Sequence, residues 1–422
     1  MSVTGSVTET ASDGETIAGR RAALPWLTRL PLISSAAVAS PFTLAGGQRE
    51  LRLDLFRGLA LWLIFIDHVS PDVLSWFTIR SYGFSDAAEF FIFISGFTAA
   101  FVYGRVMFDR GFVIGAARIL RRVWQIYTAH LLLFAVLIAE ITIATAVSGG
   151  PFYLEEMAVG AFFRDPGPAM NQALLLRFRP LNMDVLPLYV VLMATLPLVL
   201  RLARWRADLP LAMSIVLYIA TIRYDLHFST WPAGFWSFNP FAWQLLFVFG
   251  AWCALGGAAR IAPLIRLPVA FWTAVGYLVF CFCVTLTWYF PQLEALMPPW
   301  LASLIYPINK TDLDILRFGH FLALAVVTLR FVPGDWPGLE SPWLQPLILC
   351  GQYSLQIFAL GVALSFAGYA VLTETSAGIG LHIAVGLSGI LIMSAVALLF
   401  TWYKRSLSVA ARRPKPPAVH AG

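Results

Sequence analysis

The sequence predicts an all-α, polytopic integral membrane bundle of about ten transmembrane helices with both termini cytoplasmic. Three observations predict it. The 422-residue chain is 59% hydrophobic and only 12% charged, where soluble proteins carry about 25% charged residues. Ten apolar runs lie near the roughly 20 residues that cross a bilayer. Lys and Arg are spread unevenly over alternate connections between those runs.

The runs fall at about 53–71, 84–104, 119–147, 183–203, 208–223, 240–258, 267–290, 315–332, 345–371 and 377–402. The fifth is short. The third and ninth are long enough to tilt or to contain a kink. With both tails inside, the inner connections collect Arg105, Arg110, Arg118, Arg121, Arg122, Arg201, Arg204, Arg206, Arg260, Arg266 and Arg330. The tails and the entry to the first run add Arg20, Arg21, Arg29, Arg49, Arg52, Arg57, Lys404, Arg405, Arg412, Arg413 and Lys415. The outside keeps only Arg80, Arg164, Arg177, Arg179, Arg223, Lys310 and Arg317. An even number of runs agrees with tails on one side. The net charge of +6 is then loop bias and not a nucleic-acid patch.

Residues 1–48 carry Glu9, Asp13 and Glu15 ahead of an apolar run broken by Pro25, Pro31 and Pro41. That pattern reads as a flexible cytoplasmic tail and not as a signal peptide. Residues 49–403 make the membrane domain, and 404–422 a basic, Pro-rich, disordered cytoplasmic tail. Cys253, Cys281, Cys283 and Cys350 sit in apolar runs without metal-ligand spacing, which reads as core packing and predicts no metal site. Two outer connections stand out, 148–182 and 291–314. Long outer loops on a helical bundle are natural places to meet an external substrate. No clear internal repeat is visible, which weakens a transporter built from inverted repeats.

Ionisable residues inside such runs are costly and ask for a purpose. The first run, LRLDLFRGLALWLIFIDHVSP, opens with Arg52, Asp54 and Arg57 and closes with Asp67 and His68. Arg57 and His68 are eleven residues apart, about three turns and about 16.5 Å of rise, so they share one stripe. Snorkelling to the interface is the alternative for the arginines, and a satisfied core histidine for His68. The second run starts SDAAEFFIFISGF, with Asp86 and Glu89 in its outer turn. If the first two runs form a hairpin, these carboxylates are level with His68. A carboxylate beside a histidine sets its tautomer and raises its basicity, which suits a general base for an alcohol. The third run enters as ARILRRVWQIYTAHLL. Its Arg118, Arg121 and Arg122 read either as topology control or as a phosphate clamp. His130 and Glu140 follow deeper, without an assigned role. NKTDLDILRFGH brings Lys310, Asp312, Asp314, Arg317 and His320 to the outer entrance of the eighth run, the kind of polar cluster that lines a cavity. Trp231, Trp236, Phe238 and Trp300 read as sugar platforms or as interfacial belt residues.

These stretches, with NMDVLPLYVVLM, FNPFAWQLLFVFG and GQYSLQIFALGVALS, resemble the OpgC family, the membrane succinyltransferases of osmoregulated periplasmic glucans. More distantly they resemble the membrane O-acyltransferases that modify surface polysaccharides. The resemblance covers about residues 50–400 in order. It implies a ten-span inner-membrane protein, an acyl-CoA co-substrate (succinyl-CoA in this family) on the cytoplasmic side, and a carbohydrate acceptor outside. It also implies function for Arg57 and His68, and donor contacts at Arg118 and Arg121. No tightly bound cofactor and no nucleic-acid partner are expected; the partners are acyl-CoA, the acceptor glycan and the lipid bilayer. The expected site is therefore catalytic His68, Arg57, Asp86 and Glu89, donor-binding Arg118, Arg121 and Arg122, and substrate-binding Lys310, Arg317 and His320, whose cations are compatible with an acyl carboxylate. A lipid or sugar transporter or flippase, and a non-catalytic partner in glucan synthesis, are the competing classes.

Overall fold

A computed structural model describes residues 50–69, 73–375 and 378–411, with side chains to 407. The expected N-terminal tail, and Arg412, Arg413 and Lys415 of the C-terminal one, lie outside the described residues. Every described residue belongs to the compact unit Pro41–Gly422.

The regular elements named among the described residues are all helical. The main ones are α1 (Leu51–Val69), α2 (Ala87–Arg110), α3 (Phe112–Ser148), α4 (Val185–Trp205), α5 (Leu209–Tyr224), α6 (Pro240–Trp252), α7 (Pro268–Tyr289), α8 (Ile315–Phe331), α9 (Gln345–Gln352), α10 (Ser354–Glu374) and α11 (Ile379–Ala411). Seven are long and apolar enough to cross a membrane: α2, α3, α4, α6 with its continuation to Ile265, α7, α10 and α11. The chain is thus a multi-pass membrane protein. The helices α1 and α8 fall outside that set, α8 with only 17 residues. In α1, however, Asp54, Arg57 and Asp67 are buried inside the protein. A charged helix of this kind belongs in the interior of a bundle, where its polar groups find partners.

Helix α1 sits centrally, packed on α2, α9, α10 and α11, while α2 also packs on α3, α4 and α6. Two crossings are so close that only glycine fits. A Cβ on Gly58 would run into the carbonyl of Leu347, and one on Gly351 into that of Asp54, which clamps α1 to α9. A Cβ on Gly96 would meet the Phe247 carbonyl, and one on Gly250 that of Phe93, which clamps α2 to α6. Apolar side chains gain little from packing on each other instead of on lipid, so close backbone contact at small residues drives such crossings.

The long runs resolve differently. The third is one continuous 37-residue helix. The ninth breaks at Tyr353, between α9 and α10. Beyond α6 the chain makes one π-helical turn, Cys253–Gly257, with Gly256 at φ 106°. α11 runs on to Ala411, past the expected boundary at 403, because no Gly or Pro lies between Gly389 and Pro414. The long connection 148–182 folds into three short helices, Phe152–Glu156, Gly160–Arg164 and Pro166–Leu174. Tyr153 anchors it, buried edge-on against Phe366 and donating its hydroxyl to Glu374 Oε1 at 2.8 Å. Burial, and next the Glu374 carboxylate, push this phenol up to about 12, so it stays a donor at neutral pH.

Each of Gly58→Ala and Gly250→Ala is expected to cost at least the roughly 1–3 kcal/mol of core overpacking. Thermal unfolding of purified protein in detergent measures this. Gly276→Ala, on α7 with open space around it, is the control and should not lower the midpoint, since Ala favours a helix interior over Gly.

Candidate functional site

The first 3.6-residue turn of α2 is built around two acids. Asp86 is the N-cap and accepts the Ala88 N–H at 2.8 Å, while Glu89 Oε2 accepts the Asp86 N–H at 2.9 Å, which makes a capping box. Each acid has a second oxygen left over, and Glu89 is completely buried. A carboxylate there is tolerable only if paired. Helix α8 supplies the pair. Arg317, itself buried, lies 2.6 Å from Glu89 Oε1 through one guanidinium nitrogen, donates to the same oxygen from Nε at 2.9 Å, and reaches Asp86 Oδ2 at 3.3 Å. Lys310 donates to Asp86 Oδ2 at 2.6 Å and lies over the Phe238 ring.

The turn 309–314 that carries Lys310 is itself held in place. Asn309 Oδ1 accepts from Thr311 N, Asp312 accepts from Asn309 and Asn239, and Asp314 caps α8 at Leu316 N. Asn309, Lys310 and Thr311 thereby belong to a structural turn. One turn beyond Arg317, His320 Nδ1 accepts the Ser85 N–H at 3.2 Å and contacts Ser85 Oγ at 2.6 Å. Its ring fills the space that a Cβ on Gly83 would need. The segment before α2 is thus gripped by α8 at residues 83, 85 and 86.

Gly83, Ser85, Asp86, Lys310 and Arg317 of this group line a cavity of about 800 Å³, within the usual range for a ligand site. His68 lines it from the end of α1, together with Asp67, Asp86, Lys310 and Arg317. Among the described residues, no hydrogen bond occupies the His68 ring. Asp67 is buried and accepts the Thr78 hydroxyl at 2.6 Å. Trp288, Tyr289, Tyr306 and Tyr369 supply aromatic wall. Glu156, Leu181 and Asn182 come from the 148–182 connection, so that loop is part of the site's rim.

Three expectations change here. Asp86 and Glu89 do not hold His68: their oxygens are taken by Lys310, Arg317 and the helix N-terminus. Lys310 and Arg317 line the cavity but are each already paired with an acid of the chain, and His320 turns Nδ1 to Ser85 and is not among the cavity-lining residues. The cavity aromatics are not those expected. Trp236 is buried with Arg179 stacked on it at 4.8 Å, Trp231 packs edge-on against Phe178, Phe238 lies beneath Lys310, and Trp300 is exposed. Trp288 and Tyr289 close an apolar run, where an interfacial aromatic has no signature that separates it from a binding platform.

Arg57 lies deeper. It donates to the Ile94 carbonyl at 3.2 Å, bonds the Thr98 hydroxyl, and stands 3.8 Å from Asp54. It therefore faces α2, the helix whose cap shares the cavity with His68. Arg118, Arg121 and Arg122 are elsewhere. They sit in the second and third turns of α3, which turns back along α2 and brings Arg118 and Arg122 within electrostatic reach of Tyr103, so about 25 Å of helix separates them from the cavity. Arg118 and Arg121 are exposed, and Arg122 bonds Gln125. His130 is fully buried, with neither ring nitrogen bonded among the described residues. Among those residues no group of His, Cys, Asp or Glu could hold a metal ion.

The family profile described as OpgC protein matches residues 49–405, which takes in every helix of the bundle up to α11. The chain belongs to the OpgC family. That membership points to a membrane acyltransferase that modifies a glucan. No curated protein and no solved structure matches the chain. In this OpgC chain the family match spans both the cavity end of α1–α2 and the arginines of α3.

Arg317→Leu is expected to cost about 3–5 kcal/mol, since it leaves Glu89 buried and unpaired. The double variant Arg317→Leu with Glu89→Leu should recover most of that loss, because Asp86 keeps Lys310. Thermal unfolding in detergent, run as a double-mutant cycle, reads both.

Proposed function

We propose that this OpgC-family chain is an integral-membrane O-acyltransferase of the cytoplasmic membrane. It has ten spans with both tails inside, and it moves an acyl group, succinyl on the family analogy, from cytoplasmic acyl-CoA to hydroxyls of a periplasmic glucan or other surface carbohydrate. The observation that carries this reading is the family match combined with an open imidazole, His68, in a cavity of ligand size.

The chemistry needs a base, a hydroxyl and a thioester. A ring nitrogen of His68 takes the proton from a sugar hydroxyl as its oxygen attacks the thioester carbonyl carbon. The carbon–sulfur bond breaks, a carbon–oxygen ester bond forms, and the proton passes to the departing thiolate. We take transfer as direct: Ser85, the cavity-lining serine that contacts a histidine, shares His320 Nδ1 with its own backbone N–H, whereas His68 has no hydrogen bond to its ring among the described residues. Asp86 and Glu89 act at one remove, by fixing Lys310 and Arg317 and thereby the wall opposite His68. Arg118, Arg121 and Arg122 are the groups suited to the phosphates of coenzyme A. Arg57, buried between the two regions and turned toward α2, places positive charge along the path of the donor.

Purified protein in liposomes, given succinyl-CoA on one side and a glucan on the other, should form esters detectable by mass spectrometry. His68→Ala should stay folded and membrane-bound while transfer falls about 10²–10⁴-fold. Normal ester content in that variant, or solute flux without ester formation in the wild type, would sink the assignment; flux alone would favour the transporter class.

A further inference from the structure

Two of the three cations that line the cavity are spoken for by Asp86 and Glu89. The third, Arg80, is not. It lines the same cavity as His68, its side chain is exposed, and among the described residues it has no hydrogen bond or ion pair. It lies within electrostatic reach of both Asp67 and His68. Two acids of the cavity have no ion pair among the described residues, Asp67, which accepts from Thr78, and Glu156, from the separate 148–182 connection, and neither forms one with Arg80.

Arg80 is also held. It sits in a short 3-10 turn, Ile79–Ser81, pinned on both sides. Before it, Thr78 donates to Asp67 at 2.6 Å, which ties the turn to the residue next to His68. After it, Ser81 bonds the Ser75 carbonyl at 2.9 Å and contacts the Tyr289 hydroxyl at 3.2 Å, which ties the turn to the end of α7. Thr78, Ser81 and Asp67 are all buried. A long cationic side chain on a fixed base, without an ion-pair partner among the described residues, at the wall of a cavity beside a candidate base, has the form of an anion anchor. Its planar fork matches a carboxylate with two parallel N–H bonds.

We propose that Arg80 receives the distal carboxylate of a dicarboxylic acyl group, and so sets the enzyme's preference for a charged acyl donor over a neutral one. Asp67 is a positioning residue that acts through Thr78 to hold the Arg80 turn against His68. The inference rests on the acyltransferase reading above, which supplies the thioester that brings the acyl group to the cavity.

The test compares two four-carbon donors, succinyl-CoA and butyryl-CoA, with purified protein in liposomes and a glucan acceptor. Arg80→Gln should lower the ratio of kcat/KM for succinyl over butyryl by roughly 10- to 100-fold, the size of a lost charged hydrogen bond. Arg80→Lys, which keeps the charge without the fork, should lower it less, and it carries the comparison should the glutamine variant fail to fold. A ratio unchanged from wild type in these variants overturns the role of Arg80 while leaving the acyltransferase reading intact. A wild-type protein that transfers neither acyl group overturns both.

Discussion

The buried pairing of Glu89 with Arg317 is the contact on which the site depends. Two acids in the first turn of an apolar helix would be prohibitive in a bilayer without counter-charge. The price is met by one guanidinium from α8 and one ammonium from the turn before it. Because Arg317 touches both acids, it fixes the angular position of α8 against the start of α2. His320, one turn further along, then grips the segment 83–85. The cavity wall facing His68 is therefore a consequence of charge neutralisation between two helices far apart in sequence.

The same economy governs α1. This helix carries Asp54, Arg57, Asp67 and His68, and it runs through the interior with other helices around it. Arg57 satisfies its donors on the Ile94 carbonyl and Thr98 of α2, and Asp67 finds Thr78. Glycine makes those short polar reaches possible. Gly58 with Gly351 and Gly96 with Gly250 bring backbones together on either side, which leaves the polar side chains within bonding distance of their partners. His68 differs from its neighbours: it lines a space and is not engaged in the packing. In a segment where every other charged group is tied down, an open imidazole is the group with chemistry to spare.

The cavity also shows how charge at a membrane site divides into structure and function. Lys310 and Arg317 look like ligand-binding cations when only their position at a span entrance is considered. Their acids lie more than two hundred residues earlier, so the compensation is invisible along the chain. Arg80 reads from sequence as one more outer-loop arginine, yet it is the cavity cation with no ion pair among the described residues. What separates them is the presence of an acid within about 3 Å, a property of the packed helices.

The sequence by itself determined the helical elements, because hydropathy, helix-breaking Pro and Gly, and span length are local properties. All ten apolar runs coincide with helices, and the ninth breaks within its length. Sequence spacing also placed Arg57 and His68 on one stripe and Asp86 and Glu89 in one helical turn, since both follow from 3.6 residues per turn. The tertiary structure alone decided which side chains meet. It moved Asp86 and Glu89 from His68 to Arg317 and Lys310, lined the cavity with Trp288, Tyr289, Tyr306 and Tyr369 in place of the candidate sugar platforms, and left Arg118, Arg121 and Arg122 about 25 Å of helix from the cavity. The physical reason is that burial forces every charge to be neutralised by whatever partner the helix crossings bring within reach, and those crossings are set by close backbone packing at glycines, which no local pattern of charge reveals.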